Sequence, residues 1–260
     1  MTTGTSEISE WQFPNRATPV GSPSYYAVRF SPLAQRECNA RLIAWYEVIQ
    51  TIVDQPLDPG VARLKLDWWR SELARTAQGQ ARHPLAVALQ ACTPGEHMLH
   101  AMQSLIDAAE AGLAEPHPGD DVAFATACRR SFGSFFRVLA ARERPGSHDL
   151  ALCTEAGAYC AAVERVRNLG RAPHRVPATL SPAAVARMSM QQRSERFEPL
   201  IDQFAVDTVA GEPGLPDLAR KLTALAGALH EKMRHRGYPV ADTLLDRAPV
   251  AHLWTAWRCR

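Results

Sequence analysis

Residues 42–54 read Leu-Ile-Ala-Trp-Tyr-Glu-Val-Ile-Gln-Thr-Ile-Val-Asp, and this stretch decides the fold. Its side chains Leu42, Tyr46 and Ile49 recur every three or four residues, as on the buried face of an α-helix. The same spacing recurs in three later segments, residues 98–113, 124–139 and 218–233. No run alternates apolar and polar residues as a half-buried strand would. The sequence therefore predicts an all-α fold, a single antiparallel helical bundle with short connections.

Length and composition favour one folded domain. The chain has 260 residues, of which 46% are hydrophobic and 22% charged. This composition supports a large core and excludes the disordered and fibrous classes. Residues 1–24 are rich in Thr, Ser, Gly and Pro and show no periodicity, so we expect a flexible N-terminal tail. The helical domain is then expected over residues 25–260, since no long linker interrupts them.

Charge and cysteine usage narrow the function classes. The 29 basic and 27 acidic residues nearly balance, which argues against a nucleic-acid partner. Six cysteines are scattered without a CxxC pair, which predicts a reducing, cytoplasmic setting and no disulfide framework. No apolar stretch reaches the roughly 18–20 residues of a membrane span, so no transmembrane segment is expected. A peripheral membrane contact stays open.

Four stretches, in order and spacing, carry a resemblance to a known family. They are YYAVRF at residues 25–30, the helix at residues 42–54, KLDWWRSEL at residues 65–73, and the His-Pro-Leu that begins at His83. Together they resemble the squalene/phytoene synthase family, which condenses two prenyl diphosphates head to head. Two later segments, residues 128–133 and 157–167, are similar to its central glycine segment and to the helix of its second Asp-rich motif. The resemblance implies a helical bundle of the isoprenoid synthase type.

The family's chemistry needs two DxxxD motifs whose carboxylates share Mg²⁺ ions with the diphosphate. By the resemblance, the first motif falls on Gln50 and Asp54, and the second on Asn168 and Ala172. Only Asp54 is a carboxylate, and no Asp or Glu lies in residues 165–180. The resemblance therefore implies that Mg²⁺-dependent chemistry has been lost and that no cofactor is needed.

A shifted metal site is the alternative. Glu47 and Asp54, on one helix, and Glu164, on the candidate facing helix, could bind a single Mg²⁺ ion. The chain would then be an active prenyltransferase with Mg²⁺ as cofactor. Glu47 could equally form a buried ion pair with an arginine. The candidates are Arg41, Arg165 and Arg167.

A basic and aromatic remnant of the diphosphate site is also implied by the resemblance. Its residues are Tyr25, Tyr26, Arg29, Arg36 and Arg167. Some family members with eroded Asp-rich motifs serve in assembly of respiratory complex I, which implies an assembly or lipid-binding role here. The expected partners are a prenyl or other lipid and a protein. A further hypothesis is a pure interaction module whose cavity is closed by Trp45 or Tyr46.

Overall fold

The structure is a computed structural model that describes residues 10–55, 58–92, 95–115, 117–143, 146, 148–204 and 214–259. These ranges contain no β-strand. The α-helices, in chain order, are α1 (Pro23–Arg29), α2 (Leu33–Asp54), α3 (Pro59–Ala77), α4 (Pro84–Gln90), α5 (Glu96–Gly112), α6 (Asp121–Cys128), α7 (Ser134–Arg142), α8 (Leu150–Arg167), α9 (Pro182–Ala186), α10 (Met190–Asp202), α11 (Asp217–His235) and α12 (Pro249–Arg258). The prediction of an all-α fold is confirmed.

Helix α8 lies at the centre of the bundle, packed against α6, α7, α10 and α11. One apolar core lies among α2, α3, α4, α5 and α7, and a second lies among α6, α8, α10 and α11. Phe132 packs against both cores. Leu42 and Ile49, whose spacing predicts α2, have no solvent exposure. Over the described ranges, no helix is both long enough and apolar enough to cross a bilayer.

A π-helical turn interrupts the helix predicted over residues 124–139. It spans Arg129–Gly133, between α6 and α7. Helix α8 crosses this turn at Gly157, where a Cβ atom would lie only 2.3 Å from the carbonyl oxygen of Phe132. Only glycine allows the two backbones to approach so closely. The turn in this way holds Arg130 and Ser131 at the cavity described below.

Glu72 stabilises the connection between α3 and α4 through hydrogen bonds. Its side chain has no solvent exposure, and its Oε1 accepts the backbone N–H groups of Arg82 and His83 at 2.5 and 2.7 Å. Its Oε2 accepts Nε of Arg75 at 2.8 Å. Burial raises the pKa of the Glu72 carboxyl, but these donors outweigh it and hold the pKa below its ordinary value. The glutamate of the WWRSEL segment is therefore a structural residue.

The first segment of the chain corrects the prediction of a flexible tail. Trp11 is only 4% exposed, and the amide of Asn15 donates to the carbonyl oxygen of Ala40 at 3.3 Å. Composition does not reveal such anchors, because one tryptophan buries enough apolar area to order the residues around it. Residues 10–24 thus pack on the bundle, and α1 begins at residue 23. Residues 1–9 of the predicted tail lie outside the described residues.

One disulfide departs from the cysteine prediction. Cys38 of α2 is bonded to Cys92, just after α4, with their Cα atoms 5.2 Å apart. The packing of α4 on α2 brings together two cysteines that are 54 residues apart in sequence, so no local spacing signals the pair. The four other cysteines, all buried, are free.

Candidate functional site

A cavity of about 510 Å³ opens where α2, α3, α5 and the π-helical turn meet the residues that follow α8. Part of its lining is apolar and mostly small: Ala62, Ala108, Ala109, Gly112, Leu113 and Ala127. The polar lining comes from α2, the π-helical turn, α8 and the turn after it: Gln50, Asp54, Arg130, Ser131, Arg165, His174 and Arg175. The cavity therefore offers an apolar surface and a cluster of cationic groups to one occupant.

Asp54, the last residue of α2, forms an ion pair with Arg175. Arg175 ends a short 3₁₀ turn, Pro173–Arg175, that follows α8. Each of the two side chains is about a third exposed, at 30% and 31%. Burial raises the pKa of the Asp54 carboxyl, and the neighbouring Arg175 and Arg165 oppose that shift. The single surviving carboxylate of the expected metal site is thus already occupied by a guanidinium.

Arg165 reaches the same cavity from α8. It donates to the carbonyl oxygens of Arg175 and Ala127 at 3.4 and 3.3 Å and to Oγ of Ser131 at 3.5 Å. These distances are near the upper limit for hydrogen bonds. Within the described residues, no carboxylate lies within 4.0 Å of its guanidinium. Arg165 therefore retains donor capacity for an anion.

Two histidines and a second ion pair complete the polar part. Arg130 lies 3.8 Å from Glu115, and Nδ1 of His117 lies 3.3 Å from the carbonyl oxygen of His174. Burial, helped by the positive charge of Arg175, lowers the pKa of the His174 imidazole. This shift favours the neutral imidazole of His174, and the guanidinium groups of Arg165 and Arg175 are the permanent positive charges in this part of the cavity.

The cavity stays open although large aromatic residues lie near it. Trp45 has no exposure, and Tyr46 packs into the core with its ring 4.7 Å from Phe135 and 4.8 Å from Phe132. Burial raises the pKa of the Tyr46 phenol, so its hydroxyl stays protonated. Neither side chain belongs to the cavity lining. This cavity is therefore not the space that either side chain fills, and the hypothesis of an interaction module closed by Trp45 or Tyr46 stays a prediction.

The residues at the cavity do not fit a Mg²⁺ cluster. Gln50 and Asp54 face it, but Asn168 and Ala172 do not. Asn168 instead caps the end of α8, where its amide donates to the Glu164 carboxylate at 2.6 Å. In the part of the chain that the structure describes, no three His, Cys, Asp or Glu side chains come close enough together to hold a metal ion. Mg²⁺ needs several hard oxygen ligands with negative charge, and this cavity presents guanidinium groups in their place.

The shifted carboxylates do not converge either. The Glu164 carboxylate accepts hydrogen bonds from Arg167 and Asn168, away from the cavity. Its neighbour Arg165 lines the cavity, because adjacent positions of a helix differ in direction by about 100°. Glu47 lies two turns before Asp54, about 10 Å along the axis, and is exposed outside the cavity. The described residues therefore do not support the predicted shifted metal site of Glu47, Asp54 and Glu164.

None of the three arginines proposed as partners of Glu47 pairs with it. Arg41 pairs with Glu37 at 3.6 Å, and Arg167 pairs with Glu164 and Asp246, each at 3.2 Å. Arg165 donates to the carbonyl and hydroxyl oxygens described above. Glu47 shares a face of α2 with Asp54 but lies about two turns earlier, so its position along the helix axis, and not its rotation, places it outside the cavity.

The proposed diphosphate remnant lies elsewhere, since none of its five residues lines the cavity. Tyr25 stacks on Phe13 at 5.2 Å, and the Tyr26 ring lies 6.5 Å from that of His252. Arg29 is exposed on α1, and Nε of Arg36 donates to the carbonyl oxygen of Ser31 at 3.1 Å. Nε of Arg167 donates to the carbonyl oxygen of Leu245 at 2.6 Å. His252 links two of these residues, since its ring faces Tyr26 and its Nε2 lies 3.4 Å from Asp246, the ion-pair partner of Arg167. The hypothesis that the five residues form one site stays a prediction.

Comparison with known proteins agrees with the helical pattern. The family model for squalene/phytoene synthase matches residues 17–254, a range that includes every residue of the cavity lining. No curated protein sequence matches the chain.

Proposed function

The chain belongs to the squalene/phytoene synthase family, with its all-α isoprenoid synthase fold, and we propose that it is a non-catalytic member that binds an anionic lipid without Mg²⁺. The observation that carries this proposal is the Asp54–Arg175 ion pair beside Arg165. In an active site of this family, metal ions supply the positive charge that holds the diphosphate. Here two guanidinium groups supply it.

Guanidinium chemistry supports this ligand class. Arginine is always charged at physiological pH and binds phosphate through two parallel N–H donors. Arg165 has donors that are only weakly engaged, and Arg175 can turn from Asp54 to an incoming anion. The acidic head of the lipid would bind these two side chains.

The rest of the lining supports an apolar chain on the same ligand. Ala62, Ala109 and Leu113 present apolar surface in the cavity. Its volume of about 510 Å³ is within the range of roughly 300–1,000 Å³ that small-molecule sites occupy. A prenyl lipid has this combination of a charged head and an apolar tail.

The same groups do not support ionisation of a diphosphate. Breaking the C–O bond adds one negative charge to a diphosphate that is already multiply anionic, and divalent metals neutralise this charge in the family's reaction. Two arginines, one of them shared with Asp54, offer less charge. The proposed role is therefore that of a lipid-binding or assembly factor. A protein partner would recognise either the bound lipid or the chain in its lipid-bound form.

The test is calorimetric titration of the full chain with a non-hydrolysable farnesyl diphosphate analogue, in EDTA and in Mg²⁺. We expect the same affinity in both. Arg165→Gln should weaken binding by about tenfold or more, because a hydrogen bond to a charged group contributes about 1.5–3 kcal/mol. Arg167→Gln is the matched control on the same helix, and it should leave affinity unchanged because Arg167 faces away from the cavity.

Three results would overturn the proposal. Binding that needs Mg²⁺ and is abolished by Asp54→Asn, together with a condensed product, would establish an active prenyltransferase. An absence of binding in either buffer would leave a protein-interaction module. Retained affinity in Arg165→Gln would show that the arginines do not hold the ligand.

A further inference from the structure

The outward face of α12 is apolar and exposed. Val250, Leu253, Trp254 and Trp257 are 75%, 40%, 55% and 44% exposed. Their spacing of i, i+3, i+4 and i+7 places them on one helix face. The opposite face carries His252 and Ala256, which are buried where α12 packs against α1 and α11.

The aromatic pair on this face is preorganised. The rings of Trp254 and Trp257 stack with their centroids 5.2 Å apart. Val20, which is 72% exposed, extends the apolar surface at the start of the helix, since a Cβ on its neighbour Gly21 would lie 3.8 Å from Cγ of Pro249. The surface therefore belongs to a folded helix held by the bundle and needs no ordering before it binds.

The charges on α12 itself are positive, and Asp246, just before the helix, lies 3.4 Å from His252 on the opposite face. Residues 247–260 contain three arginines and no Asp or Glu. Arg247 lies along the flank of α12, where its Nη1 donates to Oγ1 of Thr255 at 2.9 Å. Arg258 ends the helix. An apolar face that carries tryptophans and is flanked by arginines is the pattern of a helix that lies in the plane of a membrane interface.

We propose that α12 is a membrane-docking helix, whose apolar face formed by Val250, Leu253, Trp254 and Trp257 enters the headgroup region of an anionic bilayer while Arg247 and Arg258 contact lipid phosphates. Tryptophan suits this depth because its ring is apolar and its N–H is polar. Each basic residue near an anionic bilayer adds electrostatic attraction to the lipid phosphates. A second copy of the chain fits this face less well, because a twofold contact would bring the same arginines together.

Vesicle co-flotation of the full chain tests this proposal. We expect binding to vesicles that contain phosphatidylglycerol, weaker binding to pure phosphatidylcholine, and a blue shift of tryptophan fluorescence on binding. Raising the salt from 0.1 to 1 M should weaken the binding, because the screening length falls from about 10 to 3 Å. The Trp254→Ala/Trp257→Ala variant should lose about tenfold or more of its partitioning.

The matched control is Val122→Ala/Leu150→Ala, which removes two exposed apolar side chains from α6 and α8. It should bind vesicles as the wild type does, and circular dichroism should show that both double variants fold. Equal partitioning of the two double variants, or no flotation of the wild type, would overturn the proposal. A wild-type dimer that Trp254→Ala/Trp257→Ala converts to a monomer would assign the face to self-association instead.

Discussion

Replacing Gly157 by alanine should destabilise the fold by about 3 kcal/mol or more. The added Cβ would lie 2.3 Å from the carbonyl oxygen of Phe132 and 2.8 Å from Cα of Gly133, where ordinary contact begins at 3.4 Å. Helix α8 would have to move by about 1 Å from the π-helical turn. Since backbone lies on both sides, no rotamer change can relieve the clash, and the cost falls at or above the upper end of the roughly 1–3 kcal/mol for overpacked cores.

Thermal unfolding measures this effect. A chain of this length loses about 2 °C of Tm per kcal/mol, so Gly157→Ala should melt about 6 °C or more below the wild type. Gly227→Ala is the matched control, in the middle of α11, where the new Cβ would meet only the Tyr159 hydroxyl at 3.8 Å. That variant should keep its Tm or gain about 2 °C from helix propensity. A Tm for Gly157→Ala within 1 °C of the wild type, or an equal fall in both variants, would refute the reasoning.

The remaining predictions concern α3 and α2. In a denaturant titration, Trp69→Ala should lower the free energy of unfolding by about 3–5 kcal/mol, because Trp69 is only 4% exposed. Trp68→Ala should lower it by less than about 1 kcal/mol, because Trp68 is 43% exposed. Glu72→Gln should cost about 2–3 kcal/mol at pH 7. The pKa of Glu72 is lower in the folded than in the unfolded protein, so the ionised carboxylate stabilises the fold fully above the unfolded pKa and loses this effect as the pH falls towards the folded pKa. Between pH 5 and pH 3, the Tm of Glu72→Gln should therefore fall less than the Tm of the wild type. Parallel Tm profiles would contradict this prediction. Asp54→Ala should change stability by less than about 1 kcal/mol by thermal unfolding, since its ion pair is partly exposed, and a larger loss would mark the pair as structural.

Periodicity is sufficient to predict the helices because it is a local property of the sequence. The spacing of Leu42, Tyr46 and Ile49 predicts α2, and the same helix carries Gln50 and Asp54 to the cavity. The turn of the helix fixes which side chains share a face, so this half of the site could be predicted. The π-helical turn could not, since Arg129–Gly133 has the composition of an ordinary helix.

The other half of the site depends on where α8 ends and how it is rotated. Asn168 is the C-cap of α8, so the positions 168 and 172 leave the helix that was expected to present them. A rotation of one residue decides whether Glu164 or Arg165 faces the cavity. Arg175 comes from a turn 121 positions after Asp54, and no local pattern connects the two. The sequence signal for this half is the series of arginines at positions 165, 167, 171 and 175, which the nearly balanced charge of the whole chain does not reveal.

The Asp54–Arg175 pair also bears on how a protein with the proposed function could acquire metal-dependent catalysis. An aspartate at position 50 would add a carboxylate to the cavity that Arg165 and Arg175 also line, and we expect an internal ion pair to neutralise the new charge. Removal of Arg175 first would, in turn, leave Asp54 without its ion-pair partner. Under the proposed function, metal binding would therefore require changes on α2, on α8 and in the turn after it to occur together. Single substitutions would not convert such a lipid-binding cavity into a metal-dependent active site.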